Sequence, residues 1–363
     1  MTEVLQNTPE SIAKAVKLLT QNEIVALPTE TVYGLAGNAF EDAAIQKIFR
    51  AKVRPSFDPL IVHLSKRYLN DRRGLFQALV EEEIIAAEIL LAPELAMIQE
   101  VVKKYWPGPL TLILPRGPKI PNSVTASQLT VGIRCPDHSV FQAVLDQIPF
   151  PLAAPSANRF GRISPTETNH VLSELNGRIP AILDGGTCAV GVESTIIKID
   201  FPFLITLLRP GKIGIIELEK HFQTKLKTAM TLGLHSTPGV TPGSLYEHYA
   251  PKKPLYLMPH SFHDAEASSE FLNHQTLPFK KVAYLTMSGA SPKLKIEPQQ
   301  MRILSPLANL EEMAQGLFKN MRELDEDKYY EAIVADLPRD HGQGLGAAIA
   351  DRLRRASQNK PIF

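Results

Sequence analysis

The feature that most constrains this chain is the apolar run Ile24-Val25-Ala26-Leu27, halted by Pro28 and followed at once by Thr29-Glu30-Thr31-Val32-Tyr33-Gly34-Leu35. A short, partly β-branched apolar run closed by proline reads as a buried strand. It delivers its loop to one edge of a sheet, where ligands bind in open α/β folds. Two threonine hydroxyls and a phenol are unusual cargo directly after a core strand, and Gly34 is expected to adopt a backbone conformation strained for other residues. On the octapeptide alone, a capped turn before a helix serves equally well.

A length of 363 residues favours two domains, and 44% hydrophobic with 21% charged residues is an ordinary globular composition. Thirty-nine Lys and Arg against 38 Asp and Glu leave a formal charge of +1, too little for a broad nucleic-acid footprint. Cys135 and Cys188 stand apart without CxxC spacing, which argues against a zinc ribbon and for a reducing compartment. No apolar run reaches the roughly 18 residues of a membrane span, and the N-terminus lacks the pattern of a secretory signal. The expected setting is the cytoplasm.

Taken in order, residues 11–19 have helical spacing, introduced by Thr8-Pro9-Glu10-Ser11 as cap and first turn. A second helix is expected over 43–49, then Lys52-Val53-Arg54-Pro55, then a strand over 60–64. In extended backbone Lys52 and Arg54 would point the same way and close on one anion; a solvated surface pair is the alternative. Residues 81–105 read as two helices divided by Pro93, with Trp106 anchoring the core before a strand over 110–114. Further strands are expected at 131–134, which ends in Arg134, at 151–155, ahead of Ser156-Ala157-Asn158, and at 190–197. Ser164-Pro165 reads as a helix start and Asp184-Gly185-Gly186 as a turn, while Leu207-Leu208-Arg209-Pro210-Gly211 closes the first domain. There is no GxxxxGK[ST], GxGxxG, HExxH, EF-hand loop or GxSxG; the Gly342-Gln343-Gly344-Leu345-Gly346 run is read as a loop and helix start. No metal-ligand set is evident. Beyond a Pro- and Gly-punctuated stretch over 236–244, strands at 255–257, 282–285, 303–304 and 332–335 alternate with helical segments such as 307–322, a βαβ pattern that predicts a small parallel sheet.

In one order over residues 20–213 stand PTETVYGL, KVRP with PLIVH, WPGPLTL, VGIRCP, AAPSAN with its SPT, GVESTI and LLRPG. Together they resemble the threonylcarbamoyl-AMP synthase family, the YrdC-type domain, and TPGSLYEHYAP with RDHGQGLGAAIADRLRRAS resembles its longer two-domain form. The resemblance implies an α/β fold: an N-terminal twisted mixed sheet with flanking helices over 1–223, a linker or lid over 224–253, and a smaller Rossmann-like α/β domain over 254–363. It implies synthesis of threonylcarbamoyl-adenylate and pyrophosphate from L-threonine, bicarbonate and ATP with Mg2+, no tightly bound cofactor, and downstream proteins that transfer the group to tRNA.

Position by position, the resemblance assigns L-threonine to Thr31, His63, Arg134, Ala154 and Ser194. It assigns ATP to Arg54, Asp58, Thr130, Ser156, Ser164 and Arg209, and gives Lys52 and Arg54 the catalytic part of charge clamps. Val53 and Asp58 depart from it, replacing a glycine and an amide; a carboxylate cannot donate to a phosphate as an amide does. Tyr246 is expected to fold over the nucleotide as part of a lid, with His248 and Tyr249 either sharing that task or packing between domains. A hydrogenase-maturation carbamoyltransferase would carry zinc-binding cysteines that are missing here. A double-stranded RNA binder would need a basic footprint, which the net charge does not supply, although a weak RNA contact stays open.

Overall fold

The computed structural model describes residues 1–201, 204–229, 231–232, 248–258, 262, 279–289, 296–339 and 342–358. They form two compact units, one of Met1–Phe160, Ser164–Ala189 and Glu193–Ser244, the other of Gly161–Ile163, Val190–Val192 and Leu245–Phe363.

In chain order the first unit contains β1 (Glu3–Leu5), α1 (Pro9–Thr20), β2 (Val25–Leu27), β3 (Gly34–Asn38), α2 (Asp42–Lys52), β4 (Ile61–His63), α3 (Leu75–Glu81), α4 (Leu95–Tyr105), β5 (Leu110–Pro115), α5 (Asn122–Thr125), β6 (Thr130–Arg134) and α6 (Ser139–Leu145). There follow β7 (Leu152–Ala153), α7 (Thr168–Leu175), β8 (Ala181–Leu183), β9 (Thr195–Asp200), β10 (Leu204–Arg209), α8 (Ile215–Phe222) and β11 (Lys227–Thr228). The strands make one sheet in the order β1-β8-β2-β3-β7-β4-β6-β5-β9-β10-β11. It is mixed: β4 and β6 run parallel, whereas β3 pairs antiparallel with both β2 and β7.

The alternation of side chains along β2 explains why this run is apolar throughout. Val25 and Leu27 join one cluster, with Ala15 and Leu19 of α1 and Phe141 of α6, while Ile24 and Ala26 join the cluster that holds Ile45, Ile48 and Val102. A strand covered on both faces has no polar side to offer. Thr8 caps α1 as expected, its side chain accepting from the Ser11 amide. Trp106 is buried and donates Nε1–H to the Leu110 carbonyl at 2.7 Å, so it anchors the start of β5.

Four local expectations are corrected. Lys52 is the last residue of α2 and Val53 takes a left-handed conformation (φ 53°, ψ 41°), so Lys52 and Arg54 are not two apart in extended backbone. The helix expected after residue 81 ends there instead: α3 precedes it, and residues Ala87–Leu91 form a 3-10 turn ahead of α4. Ser164-Pro165 does not start a helix, because α7 begins at Thr168 with Glu167 at its cap. The strand expected from residue 190 begins at Thr195; Gly191 sits at φ 80° before it.

The second unit contains β12 (Leu255–Leu257), β13 (Val282–Thr286), β14 (Met301–Ile303), α9 (Leu310–Glu326), β15 (Ala332–Ala335) and α10 (Gly344–Ala356). Its sheet, ordered β12-β15-β13-β14, is parallel at every described pairing. Asp336, at the carboxyl end of β15, is fully buried and accepts the amides of Met287 and Phe262 at 2.8 and 3.1 Å, tying together the loops at that edge. Tyr249 belongs to this unit, stacked on Phe318 at 5.5 Å with the Arg352 guanidinium over its ring. Of the two roles left open for Tyr249, its contacts are those of packing. Tyr246 lies outside the described residues.

Candidate active site

Strands β4 and β6 of the first unit bring three of the sequence-predicted residues, His63, Thr130 and Arg134, to one face. Register pairs Ile61 with Gly132 and His63 with Arg134 across β4 and β6, and Ile113 with Gly132 and Pro115 with Thr130 across β5 and β6. Because side chains alternate, Ile61, His63, Thr130, Gly132, Arg134, Thr111 and Ile113 share that face, continued by Ile196 of β9 opposite Thr111. Its floor is apolar, built from Ile61, Ile113, Ile196 and Leu208. Above it lies a shallow depression lined by Pro59, Leu60, Ile61, Thr111, Ile113, Gln128, Thr130, Gly132 and Ile196, with an enclosed volume of only about 10 Å³.

At one end of this floor the loop after β2 is folded on itself. The Thr29 hydroxyl meets Thr31 Oγ1 at 2.8 Å, donates to the Val32 carbonyl at 2.7 Å and accepts the Thr31 and Val32 amides, each at 3.1 Å. The Arg134 guanidinium reaches back to this loop, donating from Nη1 to Thr31 Oγ1 at 3.0 Å and from Nε to the Gly108 carbonyl at 3.2 Å. Its Nη2 lies 2.6 Å from Glu30 Oε1 in an ion pair whose side chains are 4% and 9% exposed.

Beside Arg134 in register, His63 is buried with Nδ1 3.1 Å from the Ile61 carbonyl and its ring 5.3 Å from Phe141. Burial, and secondarily the positive charge of Arg134, push its pKa down to about 3, so the imidazole is neutral at physiological pH. Gly34 does not need a positive φ; a Cβ there would stand 3.1 Å from Ala154 Cβ, so glycine permits close approach of the β3 start to the Ala154–Ser156 segment. Tyr33 turns away from the floor. Its hydroxyl donates to the Gly186 carbonyl at 2.8 Å and accepts the Gly185 amide at 3.1 Å.

The remaining cations stand at the ends of elements, Lys52 closing α2 with Arg54 just beyond it, and Arg209 closing β10. Lys52 is buried and donates Nζ–H to the carbonyls of Ser156 and Asn158, each at 2.5 Å. Burial first, then the neighbouring Arg54 charge, hold its ammonium pKa well below the ordinary lysine value, with Asp58 and Glu174 opposing. Arg54 is buried against Asp58, Nη2 to Oδ2 at 2.8 Å, and also donates to the carbonyls of Asp58 and Pro59. The substitution of carboxylate for amide at 58 therefore supplies a counter-charge to Arg54. Arg209, at the end of β10, donates to the Ser194 carbonyl and to Ser194 Oγ, each at 3.1 Å, and Ser194 Oγ meets Thr111 Oγ1 at 2.8 Å. A Cβ on Gly211 would lie 2.3 Å from the Thr195 amide nitrogen, so only glycine lets the Arg209-Pro210-Gly211 turn close on this strand. Ser164 Oγ donates to Glu193 Oε1 at 2.5 Å.

Thus Thr31, His63 and Arg134 form one group, Lys52 and Ser156 a second, Arg54 and Asp58 a third, and Ser194 and Arg209 a fourth. Ala154 joins them through its amide, which donates to the Ile61 carbonyl at 3.0 Å. Three residues of this framework escaped the sequence reading: Glu30, Thr111 and Glu193. Glu30 had a signal, a lone carboxylate between two threonines just after a core strand. Thr111 and Glu193 had none, since their partners are distant in sequence.

Comparison with known proteins agrees with this architecture. The Sua5/YciO/YrdC family model, described as "Telomere recombination", matches residues 17–211, and the model described as "Threonylcarbamoyl-AMP synthase, C-terminal domain" matches residues 213–358. The threonylcarbamoyl-AMP synthase of Bacillus subtilis is 36% identical over 369 residues, covering 100% of this chain and 97% of the relative. That of Pyrococcus abyssi is 34% identical over 344 residues, covering 94% and 93%. Among solved structures, P. abyssi Sua5 complexed with L-threonine superposes with a TM-score of 0.82 at 31% identity, covering 98% of this chain and 97% of that one. With both family models matched in tandem and full-length relatives above 30% identity, the chain belongs to the threonylcarbamoyl-AMP synthase family.

Proposed function

We propose that the chain is an L-threonylcarbamoyladenylate synthase, a nucleotidyltransferase that makes threonylcarbamoyl-AMP and pyrophosphate from L-threonine, bicarbonate or CO2, and ATP. The product activates the group destined for N6-threonylcarbamoyladenosine at adenosine 37 of tRNA. The observation that carries this reading is that four cations of the first unit, Lys52, Arg54, Arg134 and Arg209, are all buried. Two of them already face carboxylates, Asp58 and Glu30, and the reaction brings two further anions for such cations to meet, a carboxylate and a polyphosphate.

In this reading the amine of threonine captures CO2 as a carbamate, whose oxygen attacks the α-phosphorus and expels pyrophosphate. The protein's part is to hold two anions in contact and to stabilise charge at phosphorus; no covalent nucleophile is required. Arg134, Thr31 and neutral His63 form the amino-acid end, with Ala154 and Ser194. Lys52, Arg54, Asp58, Ser156, Ser164 and Arg209 form the phosphate end, and the apolar floor beside Thr130 suits the adenine. Magnesium enters with the nucleotide. Among the described residues no group of three or more His, Cys, Asp or Glu side chains is gathered. We further infer that residues 224–253 act as linker and lid with Tyr246 over the nucleotide, and that separate transferase proteins in the cytoplasm carry the group to tRNA. The defining test is pyrophosphate release from ATP with bicarbonate and each amino acid. L-Threonine should drive it far better than serine or valine, and equal release without any amino acid would refute the assignment.

A further inference from the structure

The ion pair between Arg134 and Glu30 has an unusual geometry. Arg134 Nη2 and Glu30 Oε1 approach to 2.6 Å, yet neither atom has an aligned hydrogen-bond partner. The rest of each side chain is anchored elsewhere. Arg134 is fixed through Nε and Nη1 on Gly108 and Thr31, and Glu30 through Oε2, which accepts the Asp137 amide at 3.1 Å. Two opposite charges are therefore held side by side by other contacts, buried, each with hydrogen-bonding capacity unspent. Desolvating such a pair costs several kcal/mol per ion before their attraction is counted, so a misaligned pair is a poor stabilising device. As a receptor it makes sense.

We propose that Glu30 binds the α-ammonium of the amino-acid substrate, while Arg134 Nη2 takes its α-carboxylate. An α-amino acid carries its two opposite charges on adjacent groups, matching in reverse the buried plus and minus that the protein presents. The bound zwitterion separates the two atoms, Nη2 donating to a carboxylate oxygen and Oε1 accepting an N–H. Glu30 thereby selects an amino acid over a hydroxy acid of the same shape, and it holds in place the nitrogen that attacks CO2 once the ammonium has given up a proton to bicarbonate or water. This rests on the reading of the chain as a threonine-consuming synthase and adds to it a determinant of substrate class.

The test is calorimetric titration of the full-length protein with L-threonine and with 2,3-dihydroxybutanoate, which replaces the ammonium by a hydroxyl. Glu30→Gln retains an oxygen that can accept the Asp137 amide but removes the charge. A charge-assisted hydrogen bond of ordinary strength corresponds to about a 10- to 100-fold change in affinity. Glu30→Gln should weaken L-threonine by that factor without weakening the hydroxy acid, and Glu30→Asp should keep part of the discrimination. Unchanged ATP-analogue binding and thermal transition certify the fold of each variant. Equal losses for both ligands would mean that Glu30 only positions Arg134, and no loss for L-threonine would mean that it does neither; each overturns the proposal. If the folded wild-type chain failed to bind L-threonine at all, the synthase reading itself would fall.

Discussion

Val53→Gly tests whether the left-handed turn that closes α2 is a strained joint between Lys52 and Arg54, two residues of the proposed phosphate end. Val53 holds φ 53° and ψ 41°, with its amide bonded to the Arg50 carbonyl and the Arg54 amide to the Phe49 carbonyl. A β-branched residue in this region costs about 2 kcal/mol relative to glycine. Against that relief stand about 0.7 kcal/mol of added backbone entropy in the unfolded chain and about 0.5 kcal/mol of lost contact, small because Val53 is 66% exposed. The net expectation is stabilisation by about 0.5–1 kcal/mol, a rise of about 1–3 °C in the melting temperature of the first unit. Differential scanning calorimetry of the full chain reads it directly. Val53→Ala, which remains left-handed without glycine's freedom, should give at most a fraction of the rise. A lower melting temperature for Val53→Gly, or an equal rise for Val53→Ala, would refute the strain argument.

Lys52→Met keeps the volume of a buried side chain while removing the charge and both donors to the Ser156 and Asn158 carbonyls; pyrophosphate release should fall by about 100- to 1000-fold, and near-normal turnover would reduce Lys52 to a loop anchor. His63 provides a pH signature. Its folded pKa lies near 3 and its unfolded pKa near 6.5, so between these values the unfolded chain binds the extra proton and stability falls as pH drops. Denaturant titrations from pH 7 to pH 5 should show wild type losing about 1–2 kcal/mol more than His63→Gln, and parallel profiles would contradict a buried neutral imidazole.

Several parts of this protein were determined by sequence alone because they rest on local rules. The apolar, proline-stopped run at 24–27, the Thr8 cap of α1, the Trp106 anchor and the alternating pattern beyond residue 254 each follow from periodicity or from one residue's chemistry, and each appears in the fold. The motif order likewise put forward the residues proposed for the site. Tertiary structure decided what those residues touch. Lys52 and Arg54 part company because a left-handed Val53 ends a helix between them, a torsion that no side-chain pattern encodes. Whether Tyr33 faces ligand or core depended on Gly185 and Gly186, about 150 residues away, and Tyr249, whose role the sequence left open, packs on Phe318. The Glu30–Arg134 pair also became visible only when β6 was laid beside the loop after β2. Neighbour rules reach three or four residues along the chain, while a buried charge finds its partner wherever the sheet order brings it.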